Sequence, residues 1–190
     1  MVFREIVSFF IVAALCSNLW VNGDTSISES PFSVALDALQ HKLNYTFQDV
    51  ALLRRAMTHS SYSAENNKVL SIFGEGVIET AVSMQLLVKD TDVSSKELHE
   101  EISRVSKVES SCAADGTKLG LQRIVRVSSN VNSTTPSVVC GAFRAVFGAV
   151  ALDTGSSDSG GKLFLKVHVR DDNNLNDVML AARRIGDVIM

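Results

Sequence analysis

Proline and aromatic side chains are scarce in this chain: two prolines and 6% aromatics among 190 residues. That scarcity argues against a loop-rich β-sandwich and favours helices. A basic excess is missing too. Lys and Arg number 18 against 21 Asp and Glu, a net charge of −3, so the chain lacks the basic footprint of a typical nucleic-acid-binding domain. Three cysteines are too few for a disulfide scaffold. What is present is a 46% hydrophobic composition, which suits one domain with a buried core.

The N-terminus reads differently from the rest. One positive charge, Arg4, precedes ten mostly apolar residues at 6–15, and small and polar residues follow. The run is too short to cross a hydrocarbon core of ~30 Å and has the layout of a secretory signal peptide. Val21 and Gly23 stand at the −3 and −1 sites of a cut before Asp24. The leader is therefore expected over 1–23, with no integral membrane span after cleavage. Its loss removes Arg4, Glu5 and Cys16 and leaves the charge at −3. In an oxidising compartment the remaining Cys112 and Cys140 either close one disulfide or stay as two buried thiols. Two sequons fit the same compartment, Asn44-Tyr45-Thr46 and Asn132-Ser133-Thr134. The expected location is the secretory pathway: the ER lumen, the nuclear envelope or outside the cell.

Residues 24–32 are polar and read as a flexible lead-in. Helical spacing then recurs: Phe32, Ala35, Leu36 and Leu39 behind Ser30-Pro31; Val50, Leu53, Ala56 and Met57 behind an N-cap-like Asp49; and an apolar run over 72–88. Residues 96–119 read as helix with an interruption at Gly116, and 141–152 carry Phe143, Val146, Phe147 and Val150 at helical spacing. The sum is an all-α domain of about six or more helices. Residues 154–161 read as a Gly/Ser linker, and a short tail runs to 190.

Free-standing catalytic motifs fail one by one. Asp153-Thr-Gly-Ser-Ser157 is similar to an aspartic-protease loop, and a homodimer would supply one Asp153 from each chain. That loop requires a strand before it, and the preceding residues have a helical stripe. Gly160-Gly161-Lys162 lacks the upstream glycine of a phosphate loop, and His99-Glu100-Glu101 lacks a second histidine for zinc. Glu75 and Glu79 share a helix face, which is more often a solvated edge than an acid pair.

One stretch carries a resemblance. Leu43-Asn-Tyr-Thr-Phe47, Leu52-Leu53 and Ala56-Met-Thr-His-Ser-Ser61 resemble the opening of the ribonuclease III domain. Asn67-Lys-Val-Leu-Ser-Ile-Phe-Gly-Glu75 lies where that family has its signature, and Ala145-Val-Phe-Gly-Ala-Val-Ala-Leu-Asp153 is similar to its second core helix. The resemblance implies a domain over 33–153 with the ribonuclease III fold. Within the family it is most similar to short plant members with a secretory leader, which implies a role in nuclear fusion during plant reproduction.

The departures decide the expected chemistry. Family members cleave double-stranded RNA with Mg²⁺ held among four carboxylates. By position these fall on Ser71, Glu75, Gly141 and Arg144, and a further signature glutamate falls on Lys68. One carboxylate and one cation remain, which implies a degenerate, catalytically inactive domain with no metal and no cofactor. The alternative is a working or RNA-binding endoribonuclease that uses Glu75, Mg²⁺ and other acids. The stretch 33–153 holds 12 basic and 13 acidic residues, so charge offers little to double-stranded RNA. Arg54, Arg55, Arg123 and Arg126 either converge as a patch or lie scattered in solvent. The resemblance also implies a homodimer in which Ile72, with Phe73 beside it, stands where the family places an aromatic plug. An unidentified protein partner completes the expected interaction role.

Overall fold

The computed structural model describes residues 30–168. The leader, its Gly23–Asp24 cut, and the segment from 169 to 190 lie outside the described residues. Seven α-helices make up the described part: α1 Pro31–Leu43, α2 Val50–Ala56, α3 Lys68–Lys89, α4 Ser95–Ser106, α5 Ala113–Leu119, α6 Pro136–Thr154 and α7 Ser157–His168. A single bridge between Thr58 and Arg126 is the β-pairing among the described residues. The fold is all-α, as the sequence pattern implies.

Local chemistry sets most of the helix ends. Pro31, with its fixed φ and missing N–H, opens α1, so the helix begins inside the stretch expected as lead-in. Asn44 ends α1 in the left-handed region at φ 53°, a conformation that Asn tolerates better than most residues. The Asp49 side chain accepts from Ala51 N at 2.9 Å and caps α2, and Ser94 accepts from Glu97 N at 3.1 Å to cap α4.

α6 is apolar nearly all round and forms the axis of the core, with α3, α7, α5 and α2 packed against it. Phe143, Phe147 and Phe164 meet edge to face in its interior, with ring centroids 4.9 to 6.2 Å apart. Where α3 crosses α6, a glycine on each helix lets the backbones touch. A Cβ on Gly74 would stand 1.8 Å from the Arg144 carbonyl oxygen, and one on Gly148 would stand 2.3 Å from that of Leu70.

Two sequence expectations need correction. Residues 154–161 are not a linker: the chain turns at Gly155 and starts α7 at Ser157. Gly160 and Gly161 are buried there because they lie against Phe147 O, Val77 and Ala81, where side chains would clash. The domain therefore continues past 153 to at least His168. The helical stretch 96–119 also breaks elsewhere. A π-turn at Val108–Cys112 separates α4 from α5, whereas Gly116 sits inside α5 against Val139 and Phe143. Glycine at a helix crossing and glycine at a break look the same in a sequence.

Candidate functional site

The four positions to which the resemblance assigns the metal ligands come together at the crossing of α3 and α6. Ser71 and Glu75 lie one turn apart on α3, and Gly141 and Arg144 lie one turn apart on α6. Ser71 Oγ stands 3.9 Å from where a Cβ on Gly141 would sit, in a gap left by a missing side chain. One turn along, Arg144 Nη2 lies 2.8 Å from Glu75 Oε1. The same nitrogen donates to the carbonyl of Ser106 at 2.9 Å, at the end of α4. Ser106 Oγ donates to Glu79 Oε1 at 3.3 Å. Arg144 thus joins α6, α3 and α4 through charge-assisted bonds in a half-buried setting. Lys68 is exposed at the start of α3, with its backbone N–H held by Asn66 Oδ1.

Mg²⁺ prefers several oxygen donors with anionic character. Here one carboxylate remains, and a guanidinium already occupies it. Among the described residues, no three His, Cys, Asp or Glu side chains gather as a group able to hold a metal. Glu79, one turn from Glu75 on α3, accepts from Ser106 Oγ. The residues present do not fit a divalent cation.

Cys112 and Cys140 are joined in a disulfide with Cα atoms 5.0 Å apart, resolving the choice left open by sequence. The bond fastens the π-turn after α4 to α6, one residue before Gly141. The α4 end is therefore held twice, by the disulfide and by Arg144.

Asp153 lies at the last turn of α6, not on a strand. Its Oδ2 accepts from Tyr45 Oη at 2.6 Å and from Gln48 N at 2.9 Å, and its Oδ1 accepts from Asp49 N at 2.8 Å. Both oxygens are engaged, which overturns the aspartic-protease reading. Burial pushes the Asp153 carboxyl up, but the bonds from Tyr45, Asp49 and Gln48 together hold it below its usual value. Desolvation raises the Tyr45 hydroxyl, and its bond to Asp153 adds to that.

Arg54, Arg55 and Arg123 are exposed, and Arg126 is partly buried. Arg126 lies between the rings of Phe32 and Tyr62, 4.2 and 4.8 Å from their centroids, and donates to Thr58 Oγ1 at 2.6 Å. Arg54 lies 5.7 Å from the Phe32 centroid, and Arg55 Nε donates to Asn66 O at 3.1 Å. Arg126 thus joins Phe32 of α1 to Thr58 and Tyr62 in the loop after α2.

Ile72 and Phe73 point outward: they are 73% and 40% exposed, so neither fills the core. With Val69, Met84 and Leu87, also exposed, they lie on one helical face of α3, with Gly76 and Thr80 between them. Seven outward positions over five turns carry no charge.

Residues 49–166 match the Ribonuclease-III-like family. The chain belongs to that family. It is 55% identical over 139 residues to Protein NUCLEAR FUSION DEFECTIVE 2 of Arabidopsis thaliana, covering 73% of each chain. It is 31% identical over 159 residues to a Ribonuclease 3 of Delftia acidovorans, covering 78% of this chain and 66% of that one. For a Ribonuclease 3 of Nitratiruptor the covered share is 55%, so the chain spans between half and two thirds of these bacterial relatives. In structure it is similar to the nuclease domain of ribonuclease III from Campylobacter jejuni, with TM-score 0.67 and 25% identity, over 72% of this chain and 97% of that one. That structure is described by flexibility in a region involved in dimer formation.

Gly74 and Gly148 make the helix crossing that brings Ser71, Glu75, Gly141 and Arg144 together. Asn67 is buried and donates to Ala56 O at 3.2 Å. Sequence reasoning missed the Ser106 contact of Arg144 and the Asp153 latch, since neither pairing leaves a spacing signal across 38 and 108 residues.

Proposed function

We propose that this chain is a ribonuclease III-type domain that does not hydrolyse RNA and serves as a homodimeric interaction module. The carrying observation is the 2.8 Å pair between Arg144 and Glu75 at the inherited ligand positions. A cation tethered to the fold stands where catalysis requires a mobile one with coordinated water. Glu75 cannot serve both, and Ser71 and Gly141 add no charge.

The uncharged outer face of α3 supports the dimer. An extended apolar stripe on a water-soluble domain marks a contact surface. A second copy is the occupant favoured by the Campylobacter jejuni domain, whose description names dimer formation. The leader-like N-terminus, the sequons and the Cys112–Cys140 bond support a place in the secretory pathway, in the ER or nuclear-envelope lumen or outside the cell. The name of the Arabidopsis relative supports a part in nuclear fusion, where a luminal module would bind a protein partner.

Complementation of a plant lacking its nuclear-fusion protein separates chemistry from binding. Glu75→Gln is expected to restore fusion as the unaltered chain does, and Ile72→Asp with Phe73→Asp is expected to fail. Loss of rescue by Glu75→Gln in a folded protein, with rescue kept by the double variant, would reverse the assignment.

A further inference from the structure

The two sequons differ in how the fold holds them. Asn132 opens the loop before α6 and is exposed, as is Thr134. Its Oδ1 accepts from Thr134 N at 2.9 Å and from Thr134 Oγ1 at 2.8 Å, and its backbone carbonyl accepts from Thr135 N at 3.2 Å. These bonds span two or three residues, so the turn forms locally, without the rest of the domain. Both side-chain bonds fall on Oδ1, and Nδ2 makes none among the described residues.

Asn44 is also exposed, but its surroundings are closed by distant parts of the chain. Tyr45 Oη, Gln48 N and Asp49 N are all held by Asp153, and Phe47 N by Gln40 Oε1 at 2.9 Å. Phe47 itself is buried. Once α6 docks, residues 45–49 cannot be drawn into an extended acceptor conformation without breaking these bonds. The loop around Asn132 is tethered upstream by Ser128 N to Ser61 Oγ at 3.0 Å and then runs exposed to Pro136.

We propose that Asn132 is the principal N-glycan acceptor of the chain, ahead of Asn44. The inference rests on the secretory reading above. The donor class is an oligosaccharide carried on a polyprenyl diphosphate. Nδ2 attacks the anomeric carbon, the bond from that carbon to the diphosphate oxygen breaks, and the lipid diphosphate leaves with the electron pair. One Nδ2 proton passes to a base of the transferase. The product keeps Oδ1 unchanged, so both bonds from Thr134 survive and the folded turn accommodates the sugar. Asn44 is open to modification only until the Asp153 latch closes, and its occupancy is lower.

The test expresses the full chain in plant cells with an added Asn-Gly-Thr reporter at its C-terminus. Glycans are released enzymatically in heavy-oxygen water, and peptides are mapped by mass spectrometry. The expected result is near-complete labelling at Asn132, a smaller share at Asn44 and a modified reporter. Thr134→Ala, which keeps Asn132 and its backbone bond, removes one glycan from the intact mass. A modified reporter with Asn132 bare, or with Asn44 labelled as fully as Asn132, overturns the assignment and leaves the secretory reading standing. A bare reporter together with two bare sequons overturns the secretory reading itself, and this inference with it.

Discussion

Arg144 Nη2 reaches Glu75 Oε1 at 2.8 Å and the Ser106 carbonyl at 2.9 Å, so a single side chain ties three helices at the crossing of α3 and α6. Removing it strands a half-buried carboxylate. Arg144→Ala is expected to destabilise the domain by about 1–3 kcal/mol in chemical denaturation. Arg144→Lys keeps the charge but carries its nitrogen on a shorter stem, and is expected to restore only part of that.

The same geometry predicts a gain. Arg144→Glu replaces the tethered cation with an acid beside Glu75, and a divalent ion then relieves the repulsion. Millimolar Mg²⁺ is expected to raise the melting temperature of this variant and to leave that of the unaltered protein unmoved. A thermal shift of equal size in both would contradict the proposal that Arg144 stands in for the ion.

Stability at the acid end reads the Asp153 latch. Its folded-state carboxyl is held below the ordinary 3.8, so its contribution is present above that value and is lost as pH falls through the lower folded value. Tyr45, raised from 10.0, acts at the other end: its contribution is complete below pH 10 and fades as pH climbs towards the raised value. Asp153→Asn is expected to cost about 1–2 kcal/mol near neutrality and to flatten the acid limb. Denaturant midpoints measured from pH 2.5 to 6 check the slope.

The disulfide closes a sequence separation of 28. A loop of that size corresponds to about 3.6 kcal/mol by chain entropy. Reduction is expected to lower the melting temperature and to loosen 107–112 first, seen as faster amide exchange there. Exchange that changes elsewhere but not at this turn would argue against its role as a fastener of α4.

Much of this fold was legible in the sequence because helix formation leaves periodic marks. Phe143, Val146, Phe147 and Val150 announce a buried helix, and Asp49 announces its cap; the structure keeps both. The resemblance likewise placed Glu75 and Arg144 together before any distance was known. The rest was hidden for physical reasons. Gly160 and Gly161 read as linker because composition cannot tell a flexible glycine from one pressed against Phe147 and Ala81. Arg126 reads as solvent-facing charge until Phe32 and Tyr62 are seen on its two faces. Asp153 sits in a tempting motif, and only its bonds to residues more than a hundred positions away reveal it as a latch.

The outward face of α3 makes a separate prediction. Ile72→Asp with Phe73→Asp is expected to turn a dimer into a monomer in light scattering. Both side chains are substantially exposed, so helical circular dichroism should not change. A dimer that survives both changes would place the contact elsewhere.

We propose that the site at the crossing of α3 and α6 does not cleave RNA. The most direct measurement incubates the purified protein, residues 24–190, with long double-stranded RNA in Mg²⁺ or Mn²⁺ and follows fragment length. No cleavage is predicted in either ion, whether or not Glu75 is intact. Cleavage that needs the ion and disappears in Glu75→Ala would contradict the claim outright.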